Sequence, residues 1–274
     1  MKRITIVVLI CIGSLAGIAA TVDTIVVPSH AMHKSINCVL IKPAGYKKKS
    51  NRFPVVYLLH GYSGKYSDWI VKVPALKNLA DENNMIIVCP DGGFSSWYFD
   101  SPVDSTYKYE TYIATELVNF IDKNYRTIAD KAHRAITGLS MGGHGGLFLG
   151  LRHADIFGAA GAMSGGVDLN ESRSRFEIIK RIGDTTINAK NWHDYSVVNV
   201  IENYSSTPLK IIVDCGVNDF FINGNRLLHN KMMDLKIRHD YIERPGEHNW
   251  EYWSNAVGFQ LYYFRQFFNQ SIKA

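Results

Sequence analysis

Ser140 stands between two glycines in the stretch Gly138-Leu139-Ser140-Met141-Gly142, which fits the pattern G-x-S-x-G. In that pattern the serine occupies a sharp turn between a strand and a helix, where its hydroxyl is exposed to a substrate. The apolar run before the serine and the helical spacing after it predict this context. Because a five-residue pattern also occurs by chance, a glycine-rich turn with an incidental serine is the alternative.

A serine hydroxyl is a weak nucleophile, so it needs a base that takes its proton and an acid that orients the base. In hydrolases with this strand–turn–helix context, the partners follow in the order serine, acid, histidine. His248 is the predicted base, because it follows the last predicted strand on the loop "RPGEHNWEYW". The other histidines after the serine lie on or beside predicted helices, in an insertion or before the last strand: His144, His153, His193, His229 and His239. Those on helices are interpreted as surface or packing residues.

The stretch "IIVDCGVNDFF" offers two carboxylates for the acid, Asp214 and Asp219. Asp214 falls inside a predicted strand, whereas Asp219 lies beyond Gly216, on the loop at the carboxyl end of that strand. Catalytic side chains are concentrated on such loops, so Asp219 is the predicted acid. Glu247 adjoins the histidine, but a residue next in the chain rarely orients its neighbour's ring.

The site also needs donors for the carbonyl oxygen, which becomes negatively charged when the serine attacks. The amide of Met141, the residue after the nucleophile, is one predicted donor. A second is expected from the loop His60-Gly61-Tyr62-Ser63-Gly64, which follows the apolar run "PVVYLL". Its glycines allow amides to point into the site, and a plain glycine turn is the alternative.

Short apolar runs alternate with helical patterns along the chain. The predicted strands are Thr24–Val27, Ile36–Ile41, Pro54–Leu59, Met85–Cys89, Arg134–Leu139, Gly158–Met163, Leu209–Asp214 and Asp240–Arg244. The predicted helices are Asp68–Glu82, Glu110–Tyr125, Gly143–Arg152, Asn223–Leu235 and Ser254–Phe268. This alternation predicts an α/β fold, with a mostly parallel central sheet and helices on both faces. Residues 21–274 are expected to form one domain, in which 168–206 are a helical insertion near the active face.

The first twenty residues are typical of a secretory signal peptide. Lys2 and Arg3 precede the apolar run Ile4–Ile12, and small residues lead to Ala20. We therefore expect a secreted or periplasmic protein without stable membrane association after cleavage, and an uncleaved anchor is the alternative. The formal net charge is +5, but no basic cluster extends beyond Lys47-Lys48-Lys49, so nucleic-acid binding is not indicated.

The chain has four cysteines, and Cys11 lies in the signal peptide. The odd number that remains, at wide spacing, is no disulfide framework: Cys38, Cys89 and Cys215. Buried free thiols are expected, and one disulfide is left open. The sequence has no Cys/His group with the spacing of metal ligands, so we predict neither a metal site nor a cofactor.

Five motifs together resemble the "Putative esterase" family of α/β-hydrolases: "HGYSGKYSDW", "PDGGFSSWYFDSP", "GLSMGGHGG", "DCGVNDFF" and "GEHNWEYW". That family includes esterase D (S-formylglutathione hydrolase), tributyrin esterases, bacterial mycolyltransferases, and the feruloyl and acetylxylan esterases of carbohydrate esterase family one. The resemblance, which covers about Ile36 to Phe268, implies an α/β-hydrolase fold. It implies the triad Ser140, Asp219 and His248, with the amides of Tyr62 and Met141 as oxyanion donors.

The resemblance also implies that the loop Gly92–Tyr98 helps to line the acyl pocket. The residues predicted to contact substrate are Gly61, Ser96, Trp97 and Trp250. Aromatic rings at Trp97, Tyr98, Trp250 and Trp253 are suited to sugars or to a phenolic acyl group, although Trp253 is equally consistent with a core position.

These features predict a secreted serine carboxylic-ester hydrolase that forms an acyl-enzyme. The expected substrates are short-chain acyl or hydroxycinnamoyl esters of carbohydrates. The alternatives are an acyltransferase of the mycolyltransferase type, a thioesterase like S-formylglutathione hydrolase, and a non-catalytic binding protein. A peptidase is a further alternative, because a triad does not by itself choose an ester over an amide.

Overall fold

The fold is built on one sheet, and the computed structural model describes residues 19–204 and 209–271. The strands of these residues are β1 (Thr21–Ser29), β2 (Lys34–Lys42), β3 (Val55–Leu59), β4 (Ile86–Pro90), β5 (Arg134–Gly138), β6 (Ala159–Met163), β7 (Lys210–Gly216) and β8 (His239–Arg244). They form an eight-stranded sheet in the order β1-β2-β4-β3-β5-β6-β7-β8. Each corresponds to a predicted strand.

Strand β2 is antiparallel to both its neighbours, β1 and β4, and every other neighbouring pair runs parallel. The two opening strands thus form an antiparallel hairpin, with Ile25 opposite Cys38. All residues of β3, β4, β5 and β6 are buried. Near-continuous apolar strands of this kind are expected where helices cover both faces of a parallel sheet.

The helices are α1 (Asp68–Lys72), α2 (Leu76–Asn83), α3 (Tyr109–Thr111), α4 (Val118–Asn124), α5 (Met141–Arg152), α6 (Ile179–Ile182), α7 (Ala189–Asp194), α8 (Val197–Val200), α9 (Ile222–Asp234) and α10 (Trp250–Ser271). They cover both faces of the sheet. Neighbouring residues of β3 point to opposite faces, and each packs into a different hydrophobic core. Tyr57 lies in a core with residues of α4, α5 and α9. Leu58 lies in a second core with residues of α1, α2 and α10. The α/β-hydrolase architecture is thus confirmed.

Two predicted helices differ from the structure. The predicted helix Asp68–Glu82 is divided into α1 and α2, and Pro74, which has no N–H to donate, lies between them. The predicted helix Glu110–Tyr125 is present, but its middle is a π-helical turn, Tyr112–Leu117, between α3 and α4.

The segment predicted as a helical insertion, 168–206, is described as far as residue 204. It contains α6, α7 and α8 and the 3₁₀ turns Leu169–Ser172 and Ile201–Asn203. Gly183, at φ 86°, ends α6, and the Asp184 carboxylate then accepts the amides of Thr186 and Ile187 in a turn. These local hydrogen bonds replace a continuous helix with short ones.

The predicted signal peptide, residues 1–20, lies outside the described residues except for Ala19 and Ala20. Within residues 19–204 and 209–271, no helix combines the length and the apolar character that crossing a membrane requires. The three cysteines of these ranges are buried and free: Cys38, Cys89 and Cys215. Burial raises the pKa of each thiol, so all three are neutral at ordinary pH.

Candidate active site

Ser140 occupies the turn between β5 and α5, in the context that the sequence predicts. Its backbone angles are φ 55° and ψ −117°, which are unfavourable for a residue with a Cβ. Hydrogen bonds hold this turn: the Ser140 amide donates to the Met163 carbonyl (2.9 Å), and the His144 amide donates to the Ser140 carbonyl (3.0 Å). The strained turn therefore fixes the hydroxyl at the carboxyl end of the sheet.

The two glycines around Ser140 are required by close packing against the end of β3. A Cβ at Gly138 would lie 2.5 Å from the Leu59 carbonyl oxygen, and one at Gly142 would lie 2.6 Å from the His60 carbonyl oxygen. Real Cβ atoms do not approach backbone oxygens so closely. The glycines of the motif thus allow the serine turn to lie beside the loop that begins at His60.

Three side chains from three strand ends form one chain of hydrogen bonds. Ser140 follows β5, Asp219 follows β7 and His248 follows β8. The Nε2 atom of His248 is 2.9 Å from Ser140 Oγ, and its Nδ1 atom is 2.9 Å from Oδ2 and 3.0 Å from Oδ1 of Asp219. Because the carboxylate can only accept, Nδ1 carries the ring proton and Nε2 is free to accept the serine proton. The Asp219 side chain is fully buried.

Asp214 has different partners, although it lies only five residues before Asp219. It is inside β7 and fully buried, and its carboxylate accepts hydrogen bonds from the Tyr252 hydroxyl and from Arg244 Nη2. Burial raises its pKa, although these two partners act in the opposite direction. The loop position of Asp219 therefore places that carboxylate, and not Asp214, against His248.

The loop after β3 lies against the serine turn. A Cβ added to Gly61 would be 3.4 Å from the Cβ of Ser140. In the described part of the chain, the amides of Tyr62 and Met141 donate to no backbone or side-chain acceptor. Both N–H groups are thus free to donate to an oxygen bound beside Ser140.

His60 holds this loop, and sequence reasoning assigned it no role. It is buried, its Nδ1 lies 2.8 Å from the Gly61 carbonyl oxygen, and its Nε2 accepts the Gly92 amide at 2.7 Å. The Tyr98 hydroxyl donates to the His60 carbonyl at 3.0 Å. Burial lowers the pKa of His60, so the ring is neutral with its proton on Nδ1. Its place at the start of H-G-x-x-G was the signal that could have indicated this role.

A depression of about 300 Å³ contains Ser140 and His248. Much of its lining is aromatic: Tyr62, Phe176, Phe220, Trp250 and Trp253. The His248 ring contacts two of these side chains, with centroids 4.2 Å from Phe220 and 4.9 Å from Trp253. Gly61 and Trp250, which the sequence predicts to contact substrate, both line the depression. Trp253 lines it too, although its side chain is largely buried.

Ser96 and Trp97 do not line the depression, contrary to the prediction. Ser96 is fully buried, and its Oγ accepts the Tyr98 amide at 3.1 Å. Trp97 is 1% exposed, and its Nε1 donates to the Phe176 carbonyl at 3.2 Å. Left-handed backbone at Trp97 and Tyr98 turns both aromatic side chains into the protein. Phe176 instead contributes its ring to the depression.

Phe176 and Phe220 are lining residues that sequence reasoning missed. Phe220 directly follows Asp219, and this adjacency could have identified it. Phe176 belongs to the segment 168–204, and no local pattern marks it. Its ring centroid lies 5.4 Å from that of Tyr62 and 6.2 Å from that of Phe220. A long-range contact therefore brings this segment to the serine.

The other histidines lie away from the hydrogen-bonded chain. His144 is fully buried, its Nε2 is 2.8 Å from the Tyr195 carbonyl oxygen, and its Nδ1 is 3.2 Å from the Trp97 carbonyl oxygen. Burial lowers the pKa of His144 to about 4, so it is a neutral packing residue. Among residues 19–204 and 209–271, no group of three or more His, Cys, Asp or Glu side chains is arranged to hold a metal ion.

Comparison with known proteins identifies the family. Residues 29–258 match the model of the family described as "Putative esterase". The chain belongs to this family. The esterase is a carboxylic ester hydrolase, in agreement with the names of its relatives and with the prediction from its motifs.

Similar proteins include two relatives and one solved structure. The esterase is 27% identical to an acetyl esterase of Caldicellulosiruptor saccharolyticus, over 76% of this chain and 82% of the relative. It is 33% identical to a diacylglycerol acyltransferase/mycolyltransferase, Ag85B, of Mycobacterium leprae, over 58% of this chain and 51% of the relative, so it matches about half of that protein. A solved ferulic acid esterase superposes with a TM-score of 0.80 at 29% identity, over 92% of this chain and 100% of that chain.

Proposed function

We propose that the protein is a secreted serine esterase that hydrolyses short-chain acyl or hydroxycinnamoyl esters attached to carbohydrates. The observation that carries this proposal is the continuous chain of hydrogen bonds from Ser140 through His248 to Asp219. The aromatic depression around this chain supports it, because it offers a site for an acyl group. Membership of an ester-hydrolase family supports an ester as the reacting group.

In the first half of the proposed reaction, Ser140 attacks the ester carbonyl carbon. Its Oγ forms the new bond while its proton passes to Nε2 of His248, which lies 2.9 Å away. The electron pair of the C=O bond moves onto oxygen, and the amides of Tyr62 and Met141 stabilise the resulting oxyanion. The buried Asp219 carboxylate stabilises the imidazolium through the proton on Nδ1.

The tetrahedral species then loses the alcohol, which leaves with the proton that His248 had accepted. An ester between the acyl group and Ser140 remains. In the second half, His248 takes a proton from water while the water oxygen adds to the acyl carbon. The Ser140 oxygen leaves with that proton, so the products are a carboxylic acid and an alcohol and the enzyme is regenerated.

Three observations support the proposed substrate class: the aromatic lining of the depression, the names of similar proteins and the signal-peptide pattern. Aromatic walls favour flat groups through offset and edge contacts, and a volume of about 300 Å³ is at the small end for ligand pockets. Proteins named acetyl esterase and ferulic acid esterase are among the similar proteins. The signal-peptide pattern at Met1 to Ala20 supports export, and an exported esterase meets esters of polysaccharides outside the membrane.

Assays on a panel of esters test this proposal. Mature protein without residues 1–20 is incubated with 4-nitrophenyl acetate, acetylated xylan, methyl ferulate and S-formylglutathione, and Ser140→Ala protein serves as the background. We expect hydrolysis of the first three and little of the last. A clear preference for S-formylglutathione, or a cytoplasmic location of the native protein, would contradict the proposed substrate and location.

A second candidate function is acyl transfer, which the similarity to the mycolyltransferase favours. The same acyl-serine would form, but a sugar hydroxyl would replace water as the group that attacks it. Product analysis with and without a sugar acceptor separates the two functions. Free acid as the main product in both mixtures supports hydrolysis, and acylated sugar as the main product would support transfer.

A further inference from the structure

Two pairs of adjacent residues have left-handed backbone conformations, and they lie against each other. The angle φ is 55° at Trp97 and 62° at Tyr98, and it is 58° at Phe176 and 53° at Glu177. Among the described residues, no other two adjacent non-glycine residues both have positive φ. A Cβ disfavours this region, so such residues persist only where surrounding contacts fix them.

Two hydrogen bonds connect the second pair to Trp97 and to the nearby Ser95. Trp97 Nε1 donates to the Phe176 carbonyl at 3.2 Å, and Ser95 Oγ donates to Glu177 Oε2 at 2.9 Å. The first bond satisfies the carbonyl of the peptide group between Phe176 and Glu177. The second bond holds the side chain of Glu177. Ser95 and Trp97 thus fix Phe176 and Glu177 from one side.

Arg181, which lies in α6, adds further hydrogen bonds to the loop that begins at Ser95. Its guanidinium is buried, with Nε donating to Ser95 Oγ at 3.3 Å and Nη1 donating to Asp104 at 2.8 Å. Its carbonyl accepts the Ser101 hydroxyl, and its guanidinium lies 3.5 Å from the centroid of Tyr107. Because a buried charge needs fixed partners, the loop from Ser95 and helix α6 are held together as one unit.

One residue bonded to this unit, Phe176, places its ring in the depression. Phe176 contacts Tyr62 at 5.4 Å and Phe220 at 6.2 Å between centroids, and Phe220 contacts His248 at 4.2 Å. The three phenyl and phenol rings therefore extend from the oxyanion loop to the base. A planar acyl group bonded to Ser140 would lie along them, whereas an acetyl group is too short to reach most of them.

We propose that Ser95 and Trp97 are positioning residues that hold Phe176 in the wall of the depression and thereby set the preference for aromatic over small acyl groups. This inference rests on the proposed function. Neither residue touches the reacting atoms, since both are buried behind Phe176. If Phe176 shifts, an aromatic acyl group loses a contact that an acetyl group never makes.

Trp97→Phe tests the proposal, because it removes the Nε1–H donor and keeps a buried ring. The substrates are 4-nitrophenyl acetate and 4-nitrophenyl ferulate, which share a leaving group. The readout is the ratio of kcat/KM for the ferulate to kcat/KM for the acetate. Both rates come from one preparation, so a loss of folded protein cancels from the ratio. We expect the ratio to fall about tenfold, and an unchanged ratio would overturn the proposal.

Trp192→Phe is the matched control. Like Trp97, Trp192 is a buried tryptophan, but it lies within the segment 168–204, and its Nε1 donates to the Gly183 carbonyl at 3.0 Å. It does not line the depression. We expect Trp192→Phe to leave the ratio within about twofold of the wild-type value. An equal fall in both variants would mean general loosening of the segment and would refute a specific role for Trp97.

A double-variant cycle shows whether Trp97 acts through Phe176. Phe176→Ala should lower the ratio by itself. Adding Trp97→Phe to Phe176→Ala should then change the ratio little, because the ring that Trp97 positions is absent. If the two effects multiply instead, Trp97 acts by another route and the proposal is wrong.

Hydrogen–deuterium exchange provides a readout that does not depend on turnover. The Lys180 amide donates to the Glu177 carbonyl at 3.0 Å and reports the order of this segment. Trp97→Phe should exchange faster over residues 176–181, whereas Trp192→Phe should exchange faster near Gly183. Unchanged exchange over 176–181 in Trp97→Phe would overturn the positioning role. A wild-type protein that hydrolyses neither ester would instead refute the proposed function, and the exchange result would still decide this inference.

Discussion

The proposed reacting centre (Ser140, His248 and Asp219) and the aromatic wall of the depression (Tyr62, Phe176 and Phe220) meet at His248, but they are built differently. Each member of the hydrogen-bonded chain lies on the loop just after a strand of the sheet, and the distances within the chain are 2.9–3.0 Å. The wall draws Phe176 from a long segment, and that ring is placed by contacts with residues about 80 positions away. We therefore expect changes at the centre to affect every ester equally and changes in the wall to affect esters selectively.

Ser140→Ala should give the largest and least selective effect. It removes the proposed nucleophile, so kcat should fall by on the order of 10⁵-fold for acetyl and feruloyl esters alike. The fold should remain, because only one oxygen is lost and the side chain to which it is hydrogen-bonded is His248. Initial rates on both 4-nitrophenyl esters and a thermal melt check this. Substantial activity in a pure preparation, or a loss confined to one ester, would break the distinction between centre and wall.

Asp219→Asn and Asp214→Asn separate catalysis from folding. Asp219→Asn should reduce kcat by on the order of 10⁴-fold without unfolding the protein, because it presents His248 in the wrong tautomer. Asp214→Asn should keep most activity per folded molecule but lower the free energy of unfolding by about 1–3 kcal/mol, because buried hydrogen bonds to Tyr252 and Arg244 are weakened. A folded Asp214→Asn without activity, beside an active Asp219→Asn, would reverse the assignment.

Gly138→Ala and Gly258→Ala compare the close packing of the serine turn with a more open position on helix α10. The new Cβ at position 138 would lie 2.5 Å from the Leu59 carbonyl oxygen, so we expect a loss of about 3 kcal/mol in the free energy of unfolding. At Gly258, in α10, the nearest atom is Leu79 Cδ2 at 4.0 Å, so we expect a gain of up to about 1 kcal/mol. Urea titrations measure both, and effects of the same sign would argue against close packing at the turn.

His144 links the two regions, since it lies on α5 and its Nδ1 is 3.2 Å from the Trp97 carbonyl oxygen. Burial lowers its pKa from 6.5 to about 4. The unfolded chain therefore binds a proton at His144 more readily than the folded chain does. As a result, the free energy of unfolding decreases as the pH falls from about 6.5 to about 4, and His144 contributes no pH dependence above that window. At pH 5 the free energy of unfolding should be about 2 kcal/mol lower than at neutral pH through His144 alone.

The neutral variant His144→Gln tests that dependence. The drop in unfolding free energy between pH 7 and pH 5 should be smaller in the variant than in the wild type. His60, which is also buried, remains in both proteins and cancels from the comparison. Equal drops in the two proteins would show that His144 carries none of the pH dependence.

The sequence predicted the sheet and the placement of Ser140, Asp219 and His248 after its strands, because both depend on short-range patterns. Fully buried strands read as continuous apolar runs, and the loop position of Asp219 distinguished it from Asp214 five residues earlier. The order of serine, acid and histidine then limited the choice of base to His248.

The wall was not predictable in the same way. A motif identified the loop that contains Ser96 and Trp97, but not the left-handed backbone that turns their side chains inward. Phe176 is hydrogen-bonded by Trp97, and Ser95 bonds to the next residue, Glu177, but spacing within 168–204 does not reveal these contacts. The break at Pro74, by contrast, was visible in the sequence, because proline cannot donate within a helix.

Reaction with a fluorophosphonate tests the central claim most directly, because the probe bonds only to a serine that an adjacent base activates. Mature protein is labelled, digested and analysed by mass spectrometry. We predict one adduct, on the peptide that contains Ser140, with labelling much slower in Asp219→Asn and absent in Ser140→Ala. No adduct on folded wild-type protein, or an adduct on another serine, would contradict the account and favour a non-catalytic binding protein or a different site.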